Sequence, residues 1–211
     1  MKTTTKSLAL TLLATFGFTG MANAATTSYF LDQSNSMPDG VNYAKVTLSD
    51  GADASNAEYV DVMVEILVDA YPGSAGASNF GMDKFYFNYN NALTVDVANI
   101  INVDPASWGV NATKNAGGGF GFFDFELKGA GNSRTIELSF SIANVVGDTI
   151  ADYAIADAEG MFFGAHVGGF GRDGEMSTII AGNTPVPVPA AVWLLGSALG
   201  GLGFMRRRKS S

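Results

Sequence analysis

The run Glu58 to Asp69, EYVDVMVEILVD, alternates with a period of two along its whole length. Val60, Val62, Val64, Ile66 and Val68 fall on one face and Asp61, Glu65 and Asp69 on the other, so the run predicts a β-strand with one face in a core and the other largely in water. Met63 and Leu67 interrupt the polar face, which predicts partial cover there by a loop or neighbour. The same period recurs in Thr26 to Leu31, Val41 to Leu48, Phe80 to Tyr89 and Leu93 to Val103. It continues in Ser107 to Val110, Phe120 to Leu127, Arg134 to Ile142 and the final aromatic run Gly160 to Val167. Phe85, Phe87 and Tyr89 share one phase; Ile136, Leu138, Phe140 and Ile142 share another and should face inward. Between the runs stand turn-formers: Asn35 to Gly40, Pro72 to Ser78, Asn90-Asn91, Asp104-Pro105, Gly117 to Gly119, Gly129 to Asn132 and Gly168-Gly169. Asp148 to Ala158 fits a helical turn as well as a strand. Some eight or nine strands at spacings of about 8 to 12 residues predict an all-β fold, an antiparallel β-sandwich or jelly roll. Helical periodicity is scarce and no crossover helices are visible, so a parallel sheet is not expected.

The two ends of the chain carry a different message. Lys2 and Lys6 precede an apolar stretch, Leu8 to Phe18, and Ala22-Asn23-Ala24 supplies small residues at the positions signal peptidase reads. Residues 1–24 are therefore expected to be a signal peptide, with the mature chain starting at Ala25 outside the cytoplasm. From Met176 to Met205 no side chain is charged, and then Arg206, Arg207, Arg208 and Lys209 arrive together. Pro189 to Met205 would span about 26 Å as a helix, at the short end of what crosses a hydrocarbon layer of about 30 Å. The basic cluster is its cytoplasmic stop, in keeping with the positive-inside rule, and Trp193 is suited to the interface. Gly196 and Gly200 have the spacing of a helix-dimerisation motif, and equally of a helix that must be easily extracted.

Val186-Pro187-Val188-Pro189-Ala190, the apolar helix and the Arg206 to Lys209 cluster together resemble the PEP-CTERM sorting signals of Gram-negative bacteria. Val188 stands where the name-giving motif has Glu, so the match is to the Val-Pro-x-Pro-Ala variants. The resemblance spans residues 184–211. It implies an exosortase-like membrane protease as partner, anchorage in the inner membrane, and a role at the cell surface or in an extracellular, exopolysaccharide-containing biofilm matrix. Over the central part, the Gly119-Phe120-Gly121-Phe122-Phe123 segment and the overall size are similar to cohesin-like β-sandwiches.

The exported domain expected over residues 25–183 holds all 20 acidic residues of the chain. It holds only six basic ones, Lys45, Lys84, Lys114, Lys128, Arg134 and Arg172, for a formal net charge of −14. That balance excludes a nucleic-acid partner, which needs clustered cations. With no cysteine, stability must come from buried apolar area, for which 15 Phe and seven Tyr give the means.

The same inventory argues against an enzyme. One histidine, His166, and no cysteine exclude thiol nucleophiles and multi-imidazole metal sites. His166 lies out of phase with Met161, Phe163 and Ala165 and reads as a strand-face residue satisfied by its neighbours; no Gly-x-Ser-x-Gly elbow accompanies it. Asp124 and Glu126 share a strand face as a glycosidase pair could, but in so acidic a domain they read as a solvated face. Gly117 to Gly121 and Gly168 to Gly171 precede no helix and read as loops where the sheets cross rather than phosphate cradles. No cofactor is expected beyond calcium, for which Asp50, Asp53 and Glu58 around Gly51 are the first oxygen-donor candidates and Asp148, Asp152 and Asp157 the second. Trp108, Tyr86 and Phe162 fall off the main inward phase and are candidates to stack on sugar rings. They carry the alternative reading, a secreted carbohydrate- or ligand-binding module.

Overall fold

The structure is a computed structural model that describes residues 25–52 and 58–186. The cleavage residues Ala22 and Ala24, the loop residue Asp53, the motif from Pro187 through Ala190, the expected helix of residues 189–205 and the basic tail Arg206, Arg207, Arg208 and Lys209 lie outside the described residues. Among the described residues no helix is long and apolar enough to cross a membrane.

Among the described residues twelve strands form two six-stranded sheets, and every neighbouring pair is antiparallel. They are β1 (Thr26–Leu31), β2 (Gln33–Ser34), β3 (Ala44–Ala52), β4 (Glu58–Ile66), β5 (Gly81–Phe87), β6 (Ile100–Asp104), β7 (Gly109–Asn115), β8 (Phe122–Lys128), β9 (Glu137–Ala143), β10 (Phe163–Phe170), β11 (Met176–Gly182) and β12 (Thr184–Pro185). The first sheet runs β12-β1-β3-β4-β9-β6 and the second β2-β11-β10-β5-β8-β7. The fold is an all-β sandwich.

Alternation in β4 decides the first sheet. Val60, Val62, Val64 and Ile66 are buried, and their partners in register are Leu48 and Val46 on β3 and Ile142, Phe140 and Leu138 on β9. These residues form one apolar band that faces Phe85, Phe87, Phe125, Leu127, Phe163, Ala165, Val167 and Ile180 of the second sheet in a single core. Phe140 bridges the layers, with ring centroids 6.2 Å from Phe85 and 5.5 Å from Phe87. At one end Tyr71 fills the core among Tyr43, Phe80 and Phe170, at 5.2–5.6 Å between centroids. Each such ring contributes on the order of 1.5–3 kcal/mol by leaving water, so a domain of this size needs no disulfide.

Several boundaries differ from the sequence expectation. β4 stops at Ile66, because Leu67 N–H bonds back to the Tyr43 carbonyl and a 3-10 turn over Val68–Ala70 then swings Tyr71 inward. Leu93 to Val103 yields only β6, because Asp96 accepts from Ala98 N–H and Asn99 reciprocates, starting a 3-10 turn over Val97–Asn99. Ile136 does not face inward; it is exposed, because Thr135 still pairs with Met82 of the second sheet and the inward phase of β9 begins only at Leu138. Met63, expected to be partly covered, is 41% exposed. Asp148 to Ala158 resolves into a 3-10 turn, Ile150–Tyr153, whose Tyr153 is buried and donates to Asp148 at 2.6 Å. The Gly117 to Gly121 and Gly168 to Gly171 segments are not sheet crossings: each joins neighbours within the second sheet, β7 to β8 and β10 to β11.

The largest omission is β11. Its residues, Met176 to Gly182, begin the uncharged stretch that leads into the tail. Together with β12 they carry the body slightly past Asn183 to Val186, whose N–H donates to the Ser28 carbonyl at 2.9 Å.

Candidate functional site

The central strands of the second sheet, β5 and β10, are buried on both faces, which alternation alone could not reveal. Behind the main core, Tyr86, Ala116, Phe123, Met161 and Ala181 form a smaller apolar cluster, with Phe120 and Ile179 against it. Beside this cluster the sheet holds a chain of charged side chains. Lys84 pairs with His166 and Met82 with Val167, so Asp83 is an extra residue, a bulge on β5 opposite the His166–Val167 step. The Asp83 side chain accepts from His166 Nδ1 at 2.6 Å through Oδ1 and from Arg134 Nε at 3.2 Å through Oδ2. Arg134 arrives there because Thr135, its neighbour in sequence, exchanges both backbone hydrogen bonds with Met82 at 2.8 and 3.0 Å.

Asp83 is 6% exposed. Burial alone would push its carboxyl upward, but the hydrogen bonds and charges of His166 and then Arg134 outweigh that and hold it below the usual carboxylate range. With the carboxylate ionised, His166 Nδ1 carries the proton it donates. Asp83 is the sole hydrogen-bond partner of the His166 side chain among the described residues. The arrangement fixes Arg134 and the imidazole in place and brings no hydroxyl nucleophile to the ring.

Arg134 then forms one wall of an open cleft of about 440 Å³ between the turn Gly73–Asn79 and the turn Gly169–Gly174. The two turns touch, because Gly171 N–H donates to the Pro72 carbonyl at 2.7 Å. Gly169, at φ +82°, has no Cβ to collide with the Asn79 carbonyl. Arg134 Nη1 donates to that same carbonyl at 3.2 Å, and the Asn79 side chain accepts from Arg134 N–H and donates to the Gly131 carbonyl. The guanidinium lies over Gly168, where a Cβ would sit 2.9 Å from Cζ. Arg172 and Asp173, both exposed, complete the charged lining. No family model, curated protein or solved structure matches the chain.

The residues singled out from sequence fare differently. Trp108 and Tyr86 are 5% and 1% exposed, so neither offers a ring face to a sugar, which corrects the stacking expectation. Trp108 belongs to the main core, its indole against Gly129. Tyr86 points to the outer side of the second sheet, as its phase implied, but the smaller apolar cluster covers it. Burial, then Glu126 and Asp83, push its hydroxyl pKa upward. Phe162 is half-buried, edge-on to Tyr29 at 5.5 Å. Asp124 and Glu126 are not a solvated face: Glu126 is buried beside Tyr86, and Asp124 accepts from Tyr89 N–H at 3.2 Å.

For calcium, Asp50 sits on β3 opposite Val60, while Asp53 and the side chain of Glu58 are not among the described residues. The second acidic set does not converge. Asp148 accepts from Tyr153, Asp152 from Asn90 and Thr149, and Asp157 from the Glu159 and Met161 N–H groups. Among the described residues no three His, Cys, Asp or Glu side chains come together as a metal site.

Proposed function

We propose that the chain is an exported, non-enzymatic cell-surface or extracellular-matrix protein. Signal peptidase removes residues 1–24. The helix of residues 189–205 then holds the body at the periplasmic side of the inner membrane, and an exosortase-like protease cuts near Pro187-Val188-Pro189. The observation that carries this reading is the occurrence in one chain of a leader-like start, Lys2 and Lys6 before Leu8 to Phe18 and Ala22-Asn23-Ala24, and of an end that joins a Pro motif, a short apolar run and four basic residues. One feature of the fold supports it. β12 lies beside β1, so Thr184 faces Phe30 and Pro185 faces Tyr29, and the motif residue Val186 leaves from the sheet edge where the mature chain begins.

Fractionation of cells with and without the sortase tests the reading. With it, a shortened chain should appear at the surface or in the medium. Without it, the chain should keep its tail and stay in the inner membrane. Full-length chain in the membrane of both strains would identify a plain anchor.

A further inference from the structure

We propose that the cleft between residues 73–79 and 169–174 binds a carboxylate-bearing sugar, of the uronic acid class. Both arginines of the described residues line this one cleft, in a body whose net charge is −14. Arg134 is fixed before any ligand arrives: Nε is held by Asp83, Nη1 by the Asn79 carbonyl, and the guanidinium plane lies over Gly168. These bonds occupy two of its five donors, and Nη2 has no partner among the described residues. A planar, immobile fork of this kind suits a carboxylate. Arg172 stands exposed on the opposite turn as the second cation. Asp83 offsets the charge of Arg134 at 3.2 Å and Asp173 lines the same cleft, so a monoanion is held by the fixed donor geometry of Arg134 and by Arg172 rather than by a net positive field.

Asp173 selects among anions. Its carboxylate repels a phosphate dianion, yet accepts hydrogen bonds from the hydroxyl groups of a sugar ring, as the Ser78 hydroxyl also can. The other lining residues are mostly glycine and alanine and leave about 440 Å³, more than a bare oxyanion fills and within the roughly 300–1,000 Å³ of small-ligand sites.

Calorimetric titration of the full chain in non-ionic detergent tests this with glucuronate, polygalacturonate, glucose, acetate and inorganic phosphate as probes. Glucuronate and polygalacturonate should both bind, more tightly than acetate, and glucose should not. Arg172→Ala, which removes an exposed side chain without hydrogen bonds among the described residues, should leave the melting temperature unchanged and weaken glucuronate at least about tenfold. Glucuronate binding no better than glucose overturns the proposal. So does phosphate binding more tightly than glucuronate, or an Arg172→Ala chain with native affinity. Failure of this binding leaves export untouched, and a chain found in the cytosol leaves the cleft as described.

Discussion

Phe140→Ala lowers the free energy of unfolding by about 3–5 kcal/mol, measured by urea titration of the full chain. Phe140 is the ring that stands between Phe85 and Phe87 of the facing sheet, and its own strand is clamped between β4 and β6. Truncation removes its buried area and opens a void that two tightly packed sheets cannot close. Phe122, on β8 and 64% exposed, is the control, and its replacement by alanine should change stability by less than about 0.5 kcal/mol. Equal effects at the two positions would mean that the sheets do not pack through Phe140.

Asp83→Ala costs about 3 kcal/mol at neutral pH by the same measurement, because it leaves the largely buried Arg134 guanidinium without its carboxylate and His166 Nδ1–H without its acceptor. The pH dependence follows from the direction of the Asp83 shift. A carboxyl that titrates lower in the folded chain than in the unfolded one adds its full stabilisation above the unfolded value, near pH 4. It loses that contribution as pH falls through the folded value. Asp152, held low by Asn90 and Thr149, acts in the same sense. Native stability should therefore decline steadily below about pH 4, and less steeply in Asp83→Asn. An unchanged slope in that variant would remove Asp83 from the account.

What was legible in the sequence follows from how each feature is written. β1, β4, β8 and β9 could be read because their inward residues repeat every second position. β11 could not, since Met176 to Gly182 mixes small, hydroxyl and apolar residues without a charge, the same composition that continues into the tail. Trp108 was misplaced because it packs into the main core, and Tyr86 and Glu126 for a reason related to β11. Phase tells which face a side chain takes, and only the fold tells that loops and the 116–123 hairpin cover the second face. The charged chain had no local signature. Asp83, Arg134 and His166 are separated by dozens of residues, and only the bulge on β5 and the Thr135–Met82 pairing bring them together. The glycines that allow the close approaches were visible as turns, but not what they approach.

Intact-mass spectrometry of the chain recovered from membranes and from the medium bears most directly on the proposal that the sandwich is exported and hung from a cleavable tail. The account predicts a first residue of Ala25 in both fractions, and in the medium a last residue near Pro189. A cytosolic chain that still begins at Met1 and ends at Ser211 would contradict it.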